Sequence, residues 1–584
     1  MAAGAVTTRW PRARAIEASA AASLAGYAVF YWLRYLHRGI NLLDEGSQAA
    51  QASRILQGEL IYRDFTTAIA PASYYIVACL FQLFGRDLMV LRWAAFAVGM
   101  ASLLVTYAIA RHLAEWPFAA AAALLTTTWG WFLVTPNFYS LLGMCLSLAA
   151  LLCLLRYFRA ARMPLVVAAG LATAASIVTK QNTGIYTAVA LFIALLSAPL
   201  FDNAIDSRGR RRASVWFAVS TFAPVALVLL LFVAAGAGAS VYDNLVRYPL
   251  TVYRNALSLE YPSFYPLVPG AGLRTIGEAL PAVVAGRVAE PAVFDFWIKL
   301  VLYLPLVIYP LALVIAAALA VRGRWRSDPT AGREAQVVTA VALVGAFTFL
   351  QAWPRSDFTH VVFGLPPAFV LLSYVSYWIW RGIKSLLGRL RARVASAAVT
   401  VAEVVAVAVV LVPEAALVRY GYKLTEFEYQ NFTSALHADR ARGILTSPED
   451  AARIDHITEY LTRRTAPNEP ILVVPWAAGF YFLTDRRNPT RVDIFYDGES
   501  RRHPCIVAAL DRRPPRYVVY GYVWDIDGKH FRDYARVIDD YIRRHYVVAQ
   551  TYPGYEIWSR REGVAPTSVD APGRCAAEIG DRWR

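Results

Sequence analysis

An acidic pair, Asp44-Glu45, stands just beyond the first long apolar stretch of the chain, about Ala18 to Tyr35. Carboxylates at a membrane surface are costly to desolvate and are seldom kept without a task. A carboxylate placed where lipid meets water can take a proton from a hydroxyl, the work of a general base. Two adjacent carboxylates also raise one another's pKa. Asp44 has a plainer role open to it as well, as the cap of a helix over 45–57. Other polar groups recur at the ends of apolar stretches. Arg63-Asp64 follows in the same loop, Lys180-Gln181-Asn182 ends a later stretch, and Arg355-Ser356-Asp357-Phe358-Thr359-His360 lies beyond another. Asp357 and His360 are three apart and can share a helical face.

Composition says which elements must position these residues. Of 584 residues, 57% are hydrophobic and 17% charged, and the mean hydropathy is +0.40. Runs of about 17–25 apolar residues read as transmembrane helices. Eleven are expected, at 16–36, 88–110, 117–134, 139–157, 164–180, 184–200, 214–238, 296–321, 336–352, 361–380 and 395–417. Basic residues fall on alternate connections: Arg9, Arg12 and Arg14; Arg111; Arg156, Arg159 and Arg162; Arg208 through Arg212; Arg322, Arg324 and Arg326; Arg381 through Arg393. The short connections between them hold only Lys180 and Arg355. This bias places the N-terminus in the cytoplasm, and an odd number of spans then places the C-terminus outside a plasma membrane. The net charge of +16 sits largely in the inner loops, so it implies no nucleic-acid partner.

Three outer blocks remain. In the first, 39–87, a helix over 45–57 stops at Gly58. A second begins at Pro71, runs through Phe84 and stops at Gly85, with Tyr74, Tyr75, Phe81 and Phe84 at the interface. The second block, 239–295, is rich in tyrosine and proline. The third, 418–584, is polar. Ile471–Val474 and Tyr517–Tyr520 read as buried strands and Tyr546–Ala549 as a third, with helical patterns at 448–463 and 529–544, an α/β layer structure. Cys505 and Cys575 lie in this block and can pair in an oxidising compartment. No CxxC, HExxH, Walker or GxGxxG pattern occurs, so an outward-facing enzyme would need a donor delivered by the membrane.

The run from Asp44-Glu45-Gly46 to Leu56-Gln57-Gly58, then Tyr62-Arg63-Asp64-Phe65, Pro71-Ala72-Ser73-Tyr74-Tyr75 and Leu83-Phe84-Gly85, resembles the first outer loop of GT-C membrane glycosyltransferases. These include protein O-mannosyltransferases and the bacterial enzymes that put aminoarabinose on lipid A. The resemblance implies a polytopic α-helical membrane protein with a transmembrane module over 1–417 and an extracytoplasmic domain over 418–584. It implies transfer of a sugar from a polyprenyl-phosphate donor to a lipid, glycan or protein acceptor at the outer face. Asp44 would be the base, with Glu45 as neighbour or alternate.

One departure stands out. Related lipid A enzymes carry a lysine before the proline that opens the second interfacial helix, where this chain has Ala70. The leaving phosphate gains charge, so another outer cation must meet it. Arg355, Lys180 and Arg63 are the candidates, in that order, each with snorkelling to lipid headgroups as its alternative. Gln181 can hydrogen-bond sugar hydroxyls, and His360 can meet the phosphate or the acceptor. Asp64 can pair with a cation, bind sugar or ligate a divalent ion, which leaves metal dependence open. Two other classes of function compete. A lipid or glycan transporter calls for charges through the midplane and internal repeats, whereas this chain concentrates its polar residues in outer loops and shows no internal repeat. A non-catalytic membrane scaffold would leave the acidic loop without a task.

Overall fold

The computed structural model describes residues 9–130, 137–201, 207–262, 291–390, 396–522, 529–563 and 575. The end of the expected span 117–134 and most of the outer block beyond 262 lie outside them. Each expected apolar segment carries a helix. The first nine helices in chain order are α1 (Arg9–Tyr35), α2 (Asp44–Leu56), α3 (Ala72–Phe84), α4 (Leu88–Ala110), α5 (Trp116–Trp129), α6 (Phe138–Ala160), α7 (Met163–Thr179), α8 (Gln181–Ser197) and α9 (Ser207–Ala234). Helices Pro291–Trp325, Pro329–Phe349 and Pro366–Leu390 follow, then Ser396–Val410 and Val412–Tyr429.

Six helices among the described residues are long and apolar enough to cross a membrane, or seven if the bent pair Ala398–Val410 and Val412–Tyr429 is one span. Length and composition thus support fewer than the eleven expected spans. The reasons are local: α5 has 14 residues and α7 has 17, α1 opens on arginines, and Pro366–Leu390 ends with Arg381, Lys384 and Arg389.

The two helices of the first outer loop form as their stop signals require. Gly58 (φ +84°) and Gly85 (φ +95°) take the left-handed backbone that ends α2 and α3. Helix α3 buries Tyr74, Val77, Ala78 and Phe81 and leaves Tyr75, Ile76, Leu83 and Phe84 exposed. Helix α2 buries a run of small residues, including Gly46, Ala49, Ala50, Ala52 and Ser53, so its neighbours approach closely.

Beyond 430, helix Pro448–Arg464 is capped by Ser447, whose hydroxyl accepts from the Asp450 amide. Four strands follow: β1 (Ile471–Val474), β2 (Tyr517–Gly521), β3 (Tyr546–Tyr552) and β4 (Tyr555–Arg560). They lie in the order β1-β2-β4-β3, with β1 and β2 parallel and the other pairs antiparallel. Strands β1 and β2 are buried throughout, as unbroken apolar runs in a sheet covered on both faces. The expected buried third strand is instead an exposed edge: only Tyr546 of β3 is buried. Sequence reading missed β4, which separates β3 from β2. A disulfide joins Cys505 to Cys575.

This C-terminal unit is seated on the loop between α1 and α4. A Cβ added at Gly46 would lie 2.5 Å from Gly479 Cα, so α2 and the helix Gly479–Thr484 meet backbone to backbone. The Gly479 amide donates to the Leu42 carbonyl at 2.9 Å. Phe81 stacks on Phe482 at 5.4 Å. Buried Arg54 ties the units together, donating to Glu59 at 2.7 Å, Asp493 at 2.8 Å and the Thr490 carbonyl at 3.2 Å. Arg491 returns the contact by donating to the Tyr62 carbonyl at 2.7 Å.

Candidate active site

Asp44 is the first residue of α2, and another side chain does the capping. Asn41 Oδ1 accepts from the Leu43 and Asp44 amides at 2.9 and 2.8 Å, while Asn41 Nδ2 donates to Asp44 Oδ2 at 3.2 Å. The Asp44 carboxylate makes no capping bond, and its charge reaches groups from five other parts of the chain. Burial raises its pKa above the ordinary carboxylate value. The Asn41 hydrogen bond and the charges of His360 and Arg355 oppose that rise, and Asp357 adds to it.

Lys180 stands in the break between α7 and α8, in extended conformation. Its Nζ donates to Ser140 Oγ at 2.7 Å and to Gln351 Oε1 at 3.4 Å, and lies 5.5 Å from the Phe363 ring centre and 5.9 Å from that of Tyr139. The Asp44 charge reaches this ammonium. Gln351 is buried. Its Oε1 also accepts from Thr183 at 2.8 Å, and its Nε2 has no hydrogen-bond partner among the described residues.

On the other flank, Arg355 Nε donates to Asp357 Oδ2 at 2.9 Å, and its guanidinium also donates to the Leu257 carbonyl at 3.4 Å. Asp357 Oδ1 caps the short helix Phe358–Val362 by accepting from the His360 amide, and meets His360 Nδ1 at 2.7 Å. Burial pushes the Asp357 carboxyl up, but the His360 and Arg355 contacts outweigh it and hold it below the usual range. Tyr253 lies 3.4 Å from His360 Nε2 and ties in the irregular helical stretch 238–256.

The remaining candidates are held elsewhere. Glu45 is fully buried, and both its oxygens accept from Arg92, at 2.7 and 2.8 Å. Arg92 also donates to the Gly39 carbonyl at 2.6 Å, so this pair fastens α2 to α4 and to the end of α1. Arg63 forks onto Asp64, with both bonds at 3.0 Å, and Asp64 accepts from the Leu60 amide at 2.7 Å. These two residues lie beside the Arg54 network. Among the described residues no group of three His, Cys, Asp or Glu side chains is placed to hold a metal ion. Gln181 binds protein backbone, donating to the Ala68 carbonyl at 2.6 Å and accepting from the Ala70 amide at 3.1 Å. The position that lacks the lysine is therefore pinned next to Lys180.

Four tyrosines lie in or beside this cluster; three escaped the sequence reading, and Tyr74, expected at the interface, is buried here. Tyr74, Tyr139 and Tyr496 lie within reach of the Asp44 charge, and Tyr253 joins them through His360. Tyr496 belongs to the C-terminal unit, and its phenol is pushed well above its usual range by burial and by Asp44. Its segment is fixed on both sides: Phe495 donates its amide to the Pro475 carbonyl at 3.0 Å, and Gly498 packs on Val252 and Ala256. Aromatic residues are common throughout this chain, and no spacing links position 496 to position 44.

Residues 69–228 match the dolichyl-phosphate-mannose-protein mannosyltransferase family. Two solved structures of ArnT from Cupriavidus metallidurans share the architecture over nearly their whole length. The form bound to undecaprenyl phosphate is 15% identical, with a TM-score of 0.50 over 94% of this chain and 99% of that one. The apo form is 13% identical, with a TM-score of 0.51 over 92% and 97%. The chain has the GT-C fold. The oligosaccharyltransferase of Archaeoglobus fulgidus, in complex with Zn and sulfate, is 12% identical to this GT-C chain, with a TM-score of 0.50 over 92% of this chain and 73% of that one. No curated protein matches in sequence. The resemblance read from the first outer loop thus holds for the fold as a whole, and in this GT-C chain Asp44 occupies the first residue of α2.

Proposed function

We propose that this protein is an integral membrane glycosyltransferase that moves a sugar from a polyprenyl-phosphate donor to an acceptor hydroxyl at the outer face, with Asp44 as general base. The observation that carries the proposal is that Asp44, free of capping duty, lies within reach of the charges of Lys180 and of Arg355 with the Asp357–His360 pair. In the step proposed, the acceptor oxygen bonds to the anomeric carbon as the bond from that carbon to the phosphate oxygen breaks. The acceptor proton passes to Asp44. The bonding electrons leave with the polyprenyl phosphate, whose charge rises from −1 to −2. A buried carboxylate of raised pKa suits the base, and preorganised cations suit the leaving group.

Lys180 is the stronger phosphate ligand, ahead of Arg355. Its ammonium is buried 3.4 Å from Oε1 of Gln351, whose Nε2 is an orphaned donor, and two neighbouring donors suit a phosphate. It stands beside the pinned Ala70, where it replaces the cation that position lacks. Arg355, half-committed to Asp357, serves the acceptor side together with His360 and Tyr496. Glu45 acts through Arg92 to hold α2 in place, and Arg63 and Asp64 shape the loop. An odd number of spans with the C-terminal α/β domain outside would put the Cys505–Cys575 disulfide in an oxidising compartment, where such bonds persist.

The test is to incubate the purified chain with radiolabelled undecaprenyl-phosphate sugars and a membrane-lipid and peptide acceptor panel, and to follow transfer. Wild type should transfer from at least one donor, and Lys180→Gln should weaken donor affinity and turnover together. A Lys180→Gln variant with unchanged donor affinity would move the phosphate elsewhere. Undiminished transfer by Asp44→Asn would remove the base from this site.

A further inference from the structure

We propose that a groove between α3 and the C-terminal unit binds an anionic membrane lipid, its phosphate between Arg86 and Arg487 and its chains against α3. The groove has a volume of about 730 Å³; Ile55, Tyr75, Cys79 and Phe81 give it an apolar part, and Arg86 and Arg487 a basic part, with Gln57, Gln82 and Asn468 also on the lining. It is remote from the proposed chemistry. Ile55 lies near the far end of α2, and at 1.5 Å per residue it stands on the order of 16 Å along the helix from Asp44. The inference is thus independent of the transferase proposal.

The two parts differ in chemistry, and together they specify an amphiphile. The apolar part runs on into the bare face of α3, where Leu83 and Phe84 are 68% and 70% exposed. An acyl chain leaving the groove along this face passes directly into the bilayer. The basic part carries more charge than its carboxylate can balance. Asp485 alone pairs with both Arg86, at 3.3 Å, and Arg440, at 2.8 Å, while Arg486 and Arg487 crowd the same loop. Burial lowers the pKa of Arg440, and the charges of Arg86 and Arg486 lower it further against Asp485. Glu469 offsets part of this surplus at Arg486. Guanidinium forks facing an uncompensated positive field favour a phosphate, and the apolar part favours one that carries chains. A free phosphate would leave that part uncovered, and a zwitterionic headgroup would leave the charge unmatched.

The groove contains its own reporter. Cys79 is a free, exposed thiol on the lining, whereas Cys145 is buried. The purified full chain in detergent is titrated with phosphatidylglycerol, phosphatidylcholine or inorganic phosphate. It is then treated with a water-soluble maleimide, and the Cys79 and Cys145 peptides are read by mass spectrometry. Phosphatidylglycerol at about ten times its Kd should slow Cys79 alkylation about tenfold. Phosphatidylcholine and inorganic phosphate should change it little. Arg86→Gln with Arg487→Gln should abolish the protection, and Arg86→Lys with Arg487→Lys should keep most of it. Cys145 should stay unlabelled throughout, which reports an intact fold; if the glutamine pair unfolds, the lysine pair decides. Equal protection by phosphatidylcholine, protection by inorganic phosphate alone, protection that survives the folded glutamine pair, or none from phosphatidylglycerol would overturn the proposal.

Discussion

Asp44 and Glu45 are adjacent, and their environments separate them. Glu45 is fully buried and matched by Arg92, so its charge serves the fold. Asp44 receives one amide from Asn41, and burial disfavours its ionised form. The pKa of a carboxyl raised on folding adds stability that is fully present below the unfolded value, near 3.9, and is lost as pH rises through the folded value. Asp44→Asn removes that loss. It should raise Tm at neutral pH by thermal melting, with no difference from wild type at pH values well below the ordinary aspartate pKa. Its turnover should fall at least about a hundredfold, the usual weight of a general base. The wild-type pH–rate profile should show an acid limb above the ordinary aspartate range, because only the deprotonated base is competent. Glu45→Gln should do the reverse. Stripping the partner from a buried arginine costs about 3–5 kcal/mol, with a smaller loss of turnover per folded molecule. A Glu45→Gln variant as stable as wild type would show that the Arg92 pair is dispensable.

The glycine after the acidic pair sets how closely two elements approach. A methyl group at position 46 would fall 2.5 Å from the Gly479 backbone, and no side chain there can move aside. Gly46→Ala should push helix Gly479–Thr484 away from α2, at about 1–3 kcal/mol for an overpacked contact. It should also cut turnover, because the displaced unit carries Tyr496. Denaturant unfolding and initial rates measured side by side check this, and an alanine variant normal in both would show the contact to be slack. At this scale the sequence was largely legible. Helix α4 matches the expected 88–110, and α2 and α3 end at the glycines that mark them. Strand β4 was missed because Tyr555-Glu556-Ile557-Trp558 alternates only weakly, and β3 was expected buried because valine content does not distinguish an edge from a centre. The gathering of Asp44, Lys180, His360 and Tyr496 was illegible. Each comes from a different element, and only tertiary packing brings them together.

Orientation is a property of the whole chain, and the alternation of basic loops predicts its sign. Single cysteines placed at Ser434 and Ser327 on a cysteine-free background should differ in intact cells. A membrane-impermeant reagent should label position 434 and spare position 327, and labelling of 327 would invert the topology. The Arg54–Asp493 bond joins residues 439 apart in sequence. Synthesis at about 5–20 residues per second separates the birth of those partners by roughly 20–90 s. Through that interval the loop between α1 and α4 has a guanidinium awaiting its carboxylate and a glycine face awaiting its cover. The Arg54 network can close only once the segment that carries Asp493 has been made. A chain cut short before position 479 lacks the Gly46–Gly479 approach, the Gly479–Leu42 hydrogen bond and the Arg54–Asp493 pair, and so leaves its acidic loop unroofed.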